Sequence, residues 1–476
     1  MRVQDYFKAK FQGKICRILG FARSNKPLVE MLLSAGARVT VHDKDESIVG
    51  GAEYKAYTEQ GASFILGEDY LSGGLDADYI FRSPGFRPDL PEIRNAAKNG
   101  ATLSSEMELF FEICPCPIIG ITGSDGKTTT TTLTHLFLEE EFKGTSRRAY
   151  VGGNIGAPLL PLAEKMNEND VAVVELSSFQ LQTMRCSPAR AVITNITPNH
   201  LNWHADMDEY IAAKRNICLH SGVEMLVANA ENEETLEIAK NSDLPVTYFS
   251  SLKSSYSEIV PSCKENCQAI YEREGVIILD DGKVAKEMIR ADDILLPGRH
   301  NVENYMCAIA LTQGLVSRET IERIAKSFKG VEHRLEFVRE LSGVKYYNSS
   351  IDSSPTRTAA ALRAIKQAPI IICGGSEKGV AFDTLALDLC TLTRAVVLTG
   401  QSAQSILLEI EKCPLYDKGR LTVKHIPDFD EAVKIAASLA KEGDIVLLSP
   451  ACASFDRFKD FAHRGNHFKE IVNNLI

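Results

Sequence analysis

Short apolar runs that stop on a glycine or a hydroxyl residue recur along the chain, and segments of helical period separate them. "KICRIL" runs into Gly20, "CPIIGIT" into Gly123, and "APIIICGG", "RAVVLTG" and "DIVLLSP" follow the same plan. Strands apolar at nearly every position suit a parallel sheet, covered on both faces by the helices that return the chain. The pattern therefore predicts an α/β fold built in blocks. In the first block residues 14–19 form a strand, a helix runs from Pro27 to Ala35, and "ARVTVHD" is a strand ending at Asp43, which makes a βαβ unit. "DADYIFRSPG" adds a strand that closes on Ser83-Pro84-Gly85. The second block holds "CPIIGIT" and strands at 171–176 and 191–196; the third holds strands at 344–349, 368–375, 394–400 and 444–450. "FKGVEHRLEFV" contains the boundary between those two blocks. Residues 230–290 carry little pattern, and "SSLKSSYSE" reads as loop.

A length of 476 residues suits about three domains. The formal net charge of -10 supplies no basic field to recruit nucleic acid or an acidic membrane, although local glycine loops and a few lysines can still hold an anionic small ligand. The start, "MRVQDYFKAKFQGK", has no apolar signal core, and no uncharged run is long enough to span a bilayer. A cytoplasmic protein is expected. Of the twelve cysteines, Cys16, Cys373 and Cys452 lie in or beside apolar runs and read as small buried hydrophobes. Cys114-Pro-Cys116 and Cys263…Cys267 lack a matching second pair, which argues against zinc and for reduced thiols.

The run "PIIGITGSDGKTTTTT" (117–132) has the context of a phosphate loop, a strand before it and a helix after it. In such a loop backbone N–H groups curl around an anion, a lysine reaches the outer phosphates and the next hydroxyl meets magnesium. Lys127 and Thr128 fill those last positions. The strict pattern wants glycine at 121, where Ile121 stands between Gly120 and Gly123. The alternative is a plain strand–turn–helix connection with a solvent lysine; Gly-Lys-Thr at that junction favours the loop. "VAVVELSSFQL" then supplies Glu175 at a strand end, where a carboxylate can meet the same metal, although charged strand ends in solvent are common. "TNITPNHLNWH" brings His200 to the same rim, as a loop residue or a ligand.

"DMDEYIAAKRNICLH" is a helix with an acidic first turn, and Met207, Tyr210, Ile211, Ile217 and Cys218 share one face. Lys214 falls inside that stripe. Its amine either snorkels past its stem to water or is desolvated with a lowered pKa, able to take up carbon dioxide as a carbamate. The residues by themselves favour snorkelling.

"GITGSDGKTTT", "GGNIGAPL", "VVELSSFQL", "NHLNWH", "AAKRNI", "LPGRHNVENYMCAIAL" and "EHRLEFV" occur in an order that resembles the Mur ligase family, across essentially the whole chain. "GGSEKG" and "LLSPACASFDRFKDFAHRGNHF" are similar to the branch that adds D-glutamate, and a DNPR segment like that of the branches adding diamino acids is missing from the sequence. The resemblance implies three domains: residues 1–105 a Rossmann-like UDP-binding domain, 106–330 a central ATP-binding domain with the phosphate loop, and 331–476 a Rossmann-like amino-acid-binding domain. It implies a monomer acting on small molecules in peptidoglycan synthesis. ATP would phosphorylate the carboxylate of UDP-N-acetylmuramoyl-L-alanine, and the amine of D-glutamate would displace phosphate from the acyl phosphate. Gly123, Ser124, Asp125, Gly126, Lys127, Thr128 and Thr129 would form the ATP loop, Asn301 and Asn304 would face the adenine, and Arg334 would reach the phosphates, with His333 at the same junction. Two magnesium ions would be held by Thr128, Glu175, His200 and a carbamylated Lys214, so the resemblance reverses the preference for snorkelling. Asn154 and His200 would touch the UDP-sugar. The Gly20-Phe21-Ala22 loop, a weak glycine motif that plain α/β packing explains as well, would cradle the diphosphate with Gly85, and Asp43 and Lys44 would lie near the uracil. Lys378, also catalytic, and Ser454, Phe461 and Ser353 would hold D-glutamate. Closure of the domains on their substrates is part of the same expectation.

The chain departs from the family pattern at a few positions. Asn199 and Asn202 stand where the family often has aspartate, and "NSSIDS" replaces "NDSKAT", so that Ser349 takes the place of an aspartate and Ile351 that of a lysine, with Asp352 close by. Another Mur-type ligase, a folate-polyglutamylating ligase and a catalytically weakened nucleotide-binding relative are the competing readings.

Overall fold

A computed structural model describes residues 2–201, 203–296, 298–365, 367–376 and 381–476. The chain divides into two compact units, Met1–Phe328 and Lys329–Ile476.

The first unit holds two sheets. β1 (Ile15–Leu19), β2 (Arg38–Asp43), β3 (Ser63–Leu66), β4 (Tyr79–Arg82) and β5 (Thr102–Ser104) form an all-parallel sheet in the order β3-β2-β1-β4-β5. The order reverses between β1 and β4, so the loops after those two strands flank one crevice, the usual ligand position in such sheets. The second sheet comprises β6 (Ile118–Thr122), β7 (Ala149–Gly153), β8 (Val171–Glu175), β9 (Arg190–Ile193), β10 (Met225–Asn229), β11 (Val246–Ser250), β12 (Gln268–Arg273), β13 (Val276–Asp280) and β14 (Ala285–Arg290). Its order is β14-β13-β12-β11-β10-β9-β6-β8-β7, parallel from β7 to β12 and antiparallel through β13 and β14. β6 and β8 are buried at every position, which is why they read as unbroken apolar runs. One continuous apolar core joins the two sheets, running from Phe7 and Phe11 through Leu28 and Phe110 to Leu159, Val174 and Tyr248.

The region 230–290, weakly patterned in sequence, is ordered structure. It ends in the antiparallel strands β12 to β14, of which β14 is exposed at most positions and so carries no apolar signature. The stretch read as loop there closes with a short helix, Tyr256–Ile259. The first-block helix spans Asn25–Ser34, starting two residues before the expected Pro27, because the Asn25 side chain turns back to donate to Gly20 O at 2.8 Å.

In the second unit β15 (Glu336–Leu341), β16 (Val344–Asn348), β17 (Ile370–Cys373), β18 (Ala395–Leu398), β19 (Thr422–His425) and β20 (Ile445–Leu448) are ordered β15-β16-β20-β17-β18-β19, with β15 antiparallel at the edge. Separate apolar clusters cover its two faces, one around Leu385, Leu398 and Ile406 and one around Ala432, Val446 and Phe468. Among the described residues no helix is long and apolar enough to cross a membrane.

Candidate active site

β6 ends at Thr122 with Ile121 still inside the strand and fully buried, so the turn needs no glycine at 121. The turn starts at Gly123, whose φ is +151° and where an added Cβ would lie 1.9 Å from Thr194 Oγ1. Gly126, at φ +79°, opens the helix Lys127–Glu141. Gly120 is a packing residue of the strand, since a Cβ there would meet Pro188 Cγ at 2.6 Å. The amides of Ser124 and Asp125 donate to Asn195, to its carbonyl at 2.8 Å and its Oδ1 at 2.9 Å. The N–H groups that an anion can use therefore belong to the first helical turn, Gly126 to Thr129, which have no acceptor within the helix. Lys127 Nζ rests on the carbonyls of Gly123 and Ser124, each at 2.8 Å. Asn304 backs the loop: its Oδ1 accepts from Thr130 Oγ1 at 3.1 Å, its Nδ2 donates to Asn301 Oδ1 at 3.1 Å, and both asparagines are buried.

Glu175 ends β8 beside Ile121 of β6 and is 1% exposed. Asn154 grips it twice, amide to Glu175 O at 2.8 Å and Nδ2 to Oε1 at 2.8 Å. That grip needs Gly153, φ +95°, where a Cβ would fall 2.2 Å from Glu175 O. Glu175 Oε2 is buried and has no hydrogen-bond donor among the described residues. A buried carboxylate oxygen left over in this way asks for a cation.

Lys214 does not snorkel. It is 1% exposed; its helix, Met207–Arg215, packs behind the loop, Nζ donates to Gly123 O at 2.7 Å and lies over the Tyr210 ring at 4.7 Å. Burial, reinforced by the nearby Lys127 charge, pushes its pKa well below the ordinary 10.5, against the smaller opposing pull of Asp125 and Glu175. A stripe of apolar neighbours cannot tell a lysine that reaches water from one walled in by a loop far away in sequence. His200 is exposed on a left-handed turn at φ 56°, its ring 5.0 Å from Phe179 and 6.5 Å from Tyr210. The Asn199 side chain caps the His200 amide at 2.8 Å.

In the first sheet's crevice, Gly20 has φ +90° and a Cβ there would press on Ser83 Oγ at 2.8 Å, so the two loops touch. Asp43 Oδ2 accepts from the Phe21 amide at 2.7 Å, which fixes the turn, while Ala22, Lys44 and Gly85 are accessible. In the second unit the segments after β17 and β20 are joined, Ser376 N to Ala453 O at 2.9 Å. Ser454 is buried in the turn that follows, Phe461 begins the helix Phe461–Asn473 with its ring 5.9 Å from His333, Ser353 is exposed, and Arg334 is partly exposed. Ser349 Oγ accepts from Leu335 N at 3.1 Å, and Asp352 Oδ2 accepts from Ser449 Oγ at 2.8 Å; burial raises the Asp352 pKa. Lys378 and Asn202 lie outside the described residues.

Arg464 and His204 escaped sequence reasoning. Arg464, buried within the quoted C-terminal motif, ties Ser350 (Nε to Oγ 3.0 Å, Nη2 to O 2.9 Å) to Cys452 O at 3.0 Å, and desolvation lowers its pKa to about 10. His204 is buried beside Ser178. The only signal for either was membership of a motif.

Among the described residues no group of three or more His, Cys, Asp or Glu could by itself hold a metal. Magnesium does not need such a cage: one or two carboxylates and the phosphates of a substrate hold it. The orphan Glu175 Oε2 beside the Thr128 turn fits that donor set, and a desolvated amine at Lys214 is competent to take up carbon dioxide.

A family model described as the Mur ligase middle domain matches residues 121–312, and one described as Mur ligase, glutamate ligase domain, matches residues 333–452. The chain is 42% identical over 472 residues, 98% of each chain, to a UDP-N-acetylmuramoylalanine--D-glutamate ligase of Acetivibrio thermocellus. It is 43% identical over 475 residues, 99% of each chain, to the protein of that name from Ruminiclostridium cellulolyticum. Among solved structures, MurF of Acinetobacter baumannii superposes with a TM-score of 0.55 at 16% identity, covering 98% of this chain and 92% of that one. The UDP-N-acetylmuramate-alanine ligase MurC of Thermotoga maritima gives 0.53 at 18% identity, covering 97% and 99%. At those identities the structural likeness concerns the fold.

Proposed function

The chain belongs to the Mur ligase family, and from that premise we propose that it joins D-glutamate to UDP-N-acetylmuramoyl-L-alanine at the expense of ATP. The observation that carries this reading is the match, end to end and at 42 to 43% identity, to relatives named for that reaction. The site supports the chemistry. The γ-phosphoryl group passes to the alanyl carboxylate, giving ADP and an acyl phosphate. The amine of D-glutamate attacks the acyl carbon, the carbon–oxygen bond to phosphate breaks, the amine loses its proton and an amide remains.

Transfer of this kind demands positioning and charge neutralisation more than covalent help from the protein. The first-turn amides and Lys127, whose ammonium now rests on two loop carbonyls, hold the outer phosphates. Thr128 and Glu175, with His200 and a carbamylated Lys214, would hold two magnesium ions, whose contribution is neutralisation of charge on the transferring group. Asn154 keeps Glu175 Oε1 occupied, so that Oε2 is the atom offered. In this reading residues 1–105 bind the UDP sugar in the crevice beside Gly20, Asp43 and Gly85, residues 106–330 bind ATP, and residues 331–476, through Ser353, Lys378, Ser454 and Phe461, bind D-glutamate. Arg334 serves the nucleotide.

The deciding assay is ATP-dependent phosphate release with UDP-N-acetylmuramoyl-L-alanine and each amino acid in turn. Turnover is expected with D-glutamate and is lost in Lys127→Ala. Release that does not depend on D-glutamate would remove the substrate assignment.

A further inference from the structure

The turn after β9 and the helix that carries Lys214 are not held by the central sheet alone. Arg87, on the loop after β4, is clamped by Asp89, Nε to Oδ1 at 2.8 Å and Nη2 to Oδ2 at 2.9 Å. The clamp aims its outer nitrogens across to the central block: Nη1 donates to the Trp203 carbonyl and Nη2 to Glu209 Oε1 at 3.3 Å. Glu209 also accepts from Gln182 Nε2 at 2.9 Å and from the Ala205 amide at 2.7 Å. Its Oε2 stands 3.4 Å from His204 Nδ1, in contact but outside hydrogen-bond geometry, so that this buried nitrogen has no hydrogen-bond partner among the described residues. The His204 side chain, fully buried, meets Ser178 Oγ through Nε2 at 3.0 Å and stacks on Phe179.

Each link of this chain touches a segment of the reacting rim. Ser178 begins the helix just past β8 and Glu175. The His204 amide donates to His200 O at 3.0 Å, closing the turn that presents His200. Glu209 lies in the first turn of the helix that carries Lys214. An apolar residue would fill the His204 position at lower desolvation cost, so the polar chain is expensive for packing alone and fits a demand for geometry.

We propose that Arg87, Glu209 and His204 form a positioning relay that fixes the His200 turn and the Lys214 helix from the first sheet. The inference rests on the functional reading above, because it assigns a purpose to the geometry of that site.

The chain has one tryptophan, Trp203. It sits inside the relay, its ring edge-on to Phe179 at 5.0 Å, so its emission reports the relay directly. His204→Phe keeps a ring on Phe179 and removes both nitrogens; His204→Gln restores a group that reaches Ser178; Arg87→Met cuts the link at a partly exposed position with little risk to folding. Arg87→Met and His204→Phe are expected to lower kcat about 10- to 100-fold with the KM for D-glutamate unchanged, and His204→Gln to recover part of the loss. Addition of UDP is expected to change Trp203 emission in the wild type and not in Arg87→Met. A folded Arg87→Met protein with wild-type kcat, or with the wild-type emission response, overturns the relay. Failure of the wild type to turn over with D-glutamate counts against the functional reading alone. In that case the Trp203 response to ATP with magnesium, compared between wild type and Arg87→Met, decides the relay: a diminished response supports it and an equal response overturns it.

Discussion

An amine taken out of water is held more easily neutral than charged, and Lys214 is a strong case. Its pKa lies well below 10.5 in the folded chain, while in the unfolded chain it keeps its ordinary value. Between those two values the unfolded state binds the extra proton, so stability rises with pH across the window. Conversely, the favourable contribution is lost as pH falls through the depressed value, where folding must bury an ammonium. Lys214→Met removes the titration. In carbon-dioxide-free buffer the melting temperature of the variant, relative to the wild type, should be highest at acid pH, and the difference should shrink as pH rises. Thermal melts at several pH values check this, and a difference that does not vary with pH would show that the amine pays no burial penalty. The same desolvation makes the amine a nucleophile towards carbon dioxide, which is why one residue bears on both stability and the proposed metal site.

At the scale of elements, the helix that delivers Lys214 depends on its first turn. Asp206 caps it by accepting from the Glu209 amide at 2.8 Å, and the same turn places Glu209 for its contacts with Arg87 and Gln182. Asp206→Ala should cost about 1 kcal/mol in urea unfolding, and Asp206→Ser should recover most of it; equal stability of all three proteins would mean that tertiary packing alone holds the helix. Elements of this kind were legible from sequence. Asp206 before an amphipathic stretch, and apolar runs ending on Gly20 or Gly123, each combine a local signal with the structure it dictates. β14 was not legible, because an exposed edge strand that carries Lys286, Glu287 and Arg290 and buries only Ile289 has no apolar face to announce it. Nor were the grip of Asn154 on Glu175 or the burial of His204, Arg464 and Lys214. Each of those depends on a partner far away in the chain, and composition at the residue itself is the same whether the partner is present or not. The burial of Lys214 goes against the local pattern, which had pointed to snorkelling, and its proposed role comes from the resemblance to a family.

At the scale of the whole molecule, the apolar core decides which pieces are independent. The first sheet owns the core of one face only: Leu19, Leu75, Ile80 and Ile93 cluster by themselves, whereas Phe7, Phe11, Leu28 and Phe81 belong to the same cluster as Phe110, Leu159, Leu160 and Val174 of the central block. Polar contacts run the same way, with the buried Arg82 guanidinium donating to Phe179 O at 2.6 Å and Thr183 Oγ1 at 2.9 Å. A fragment cut after residue 105 would expose that shared surface and leave the Arg82 guanidinium with the Phe86 carbonyl, at 2.9 Å, in place of its contacts to Phe179 and Thr183. What remains buried is the cluster on one face, around Leu19, Ile80 and Ile93, while the other face loses its cover. The segment Lys329–Ile476, by contrast, covers both faces of its sheet with helices and clusters of its own. Expressed alone, residues 329–476 should therefore unfold cooperatively in urea and give a dispersed amide spectrum. Residues 1–105 should give neither, and should aggregate or remain unfolded. A cooperative transition from the 1–105 fragment would show that the shared cluster is a docking surface between finished domains. Its absence would mean that the crevice beside Gly20 and the phosphate loop at Gly123 are built on one folding unit, with the first held in register with the second before any substrate arrives.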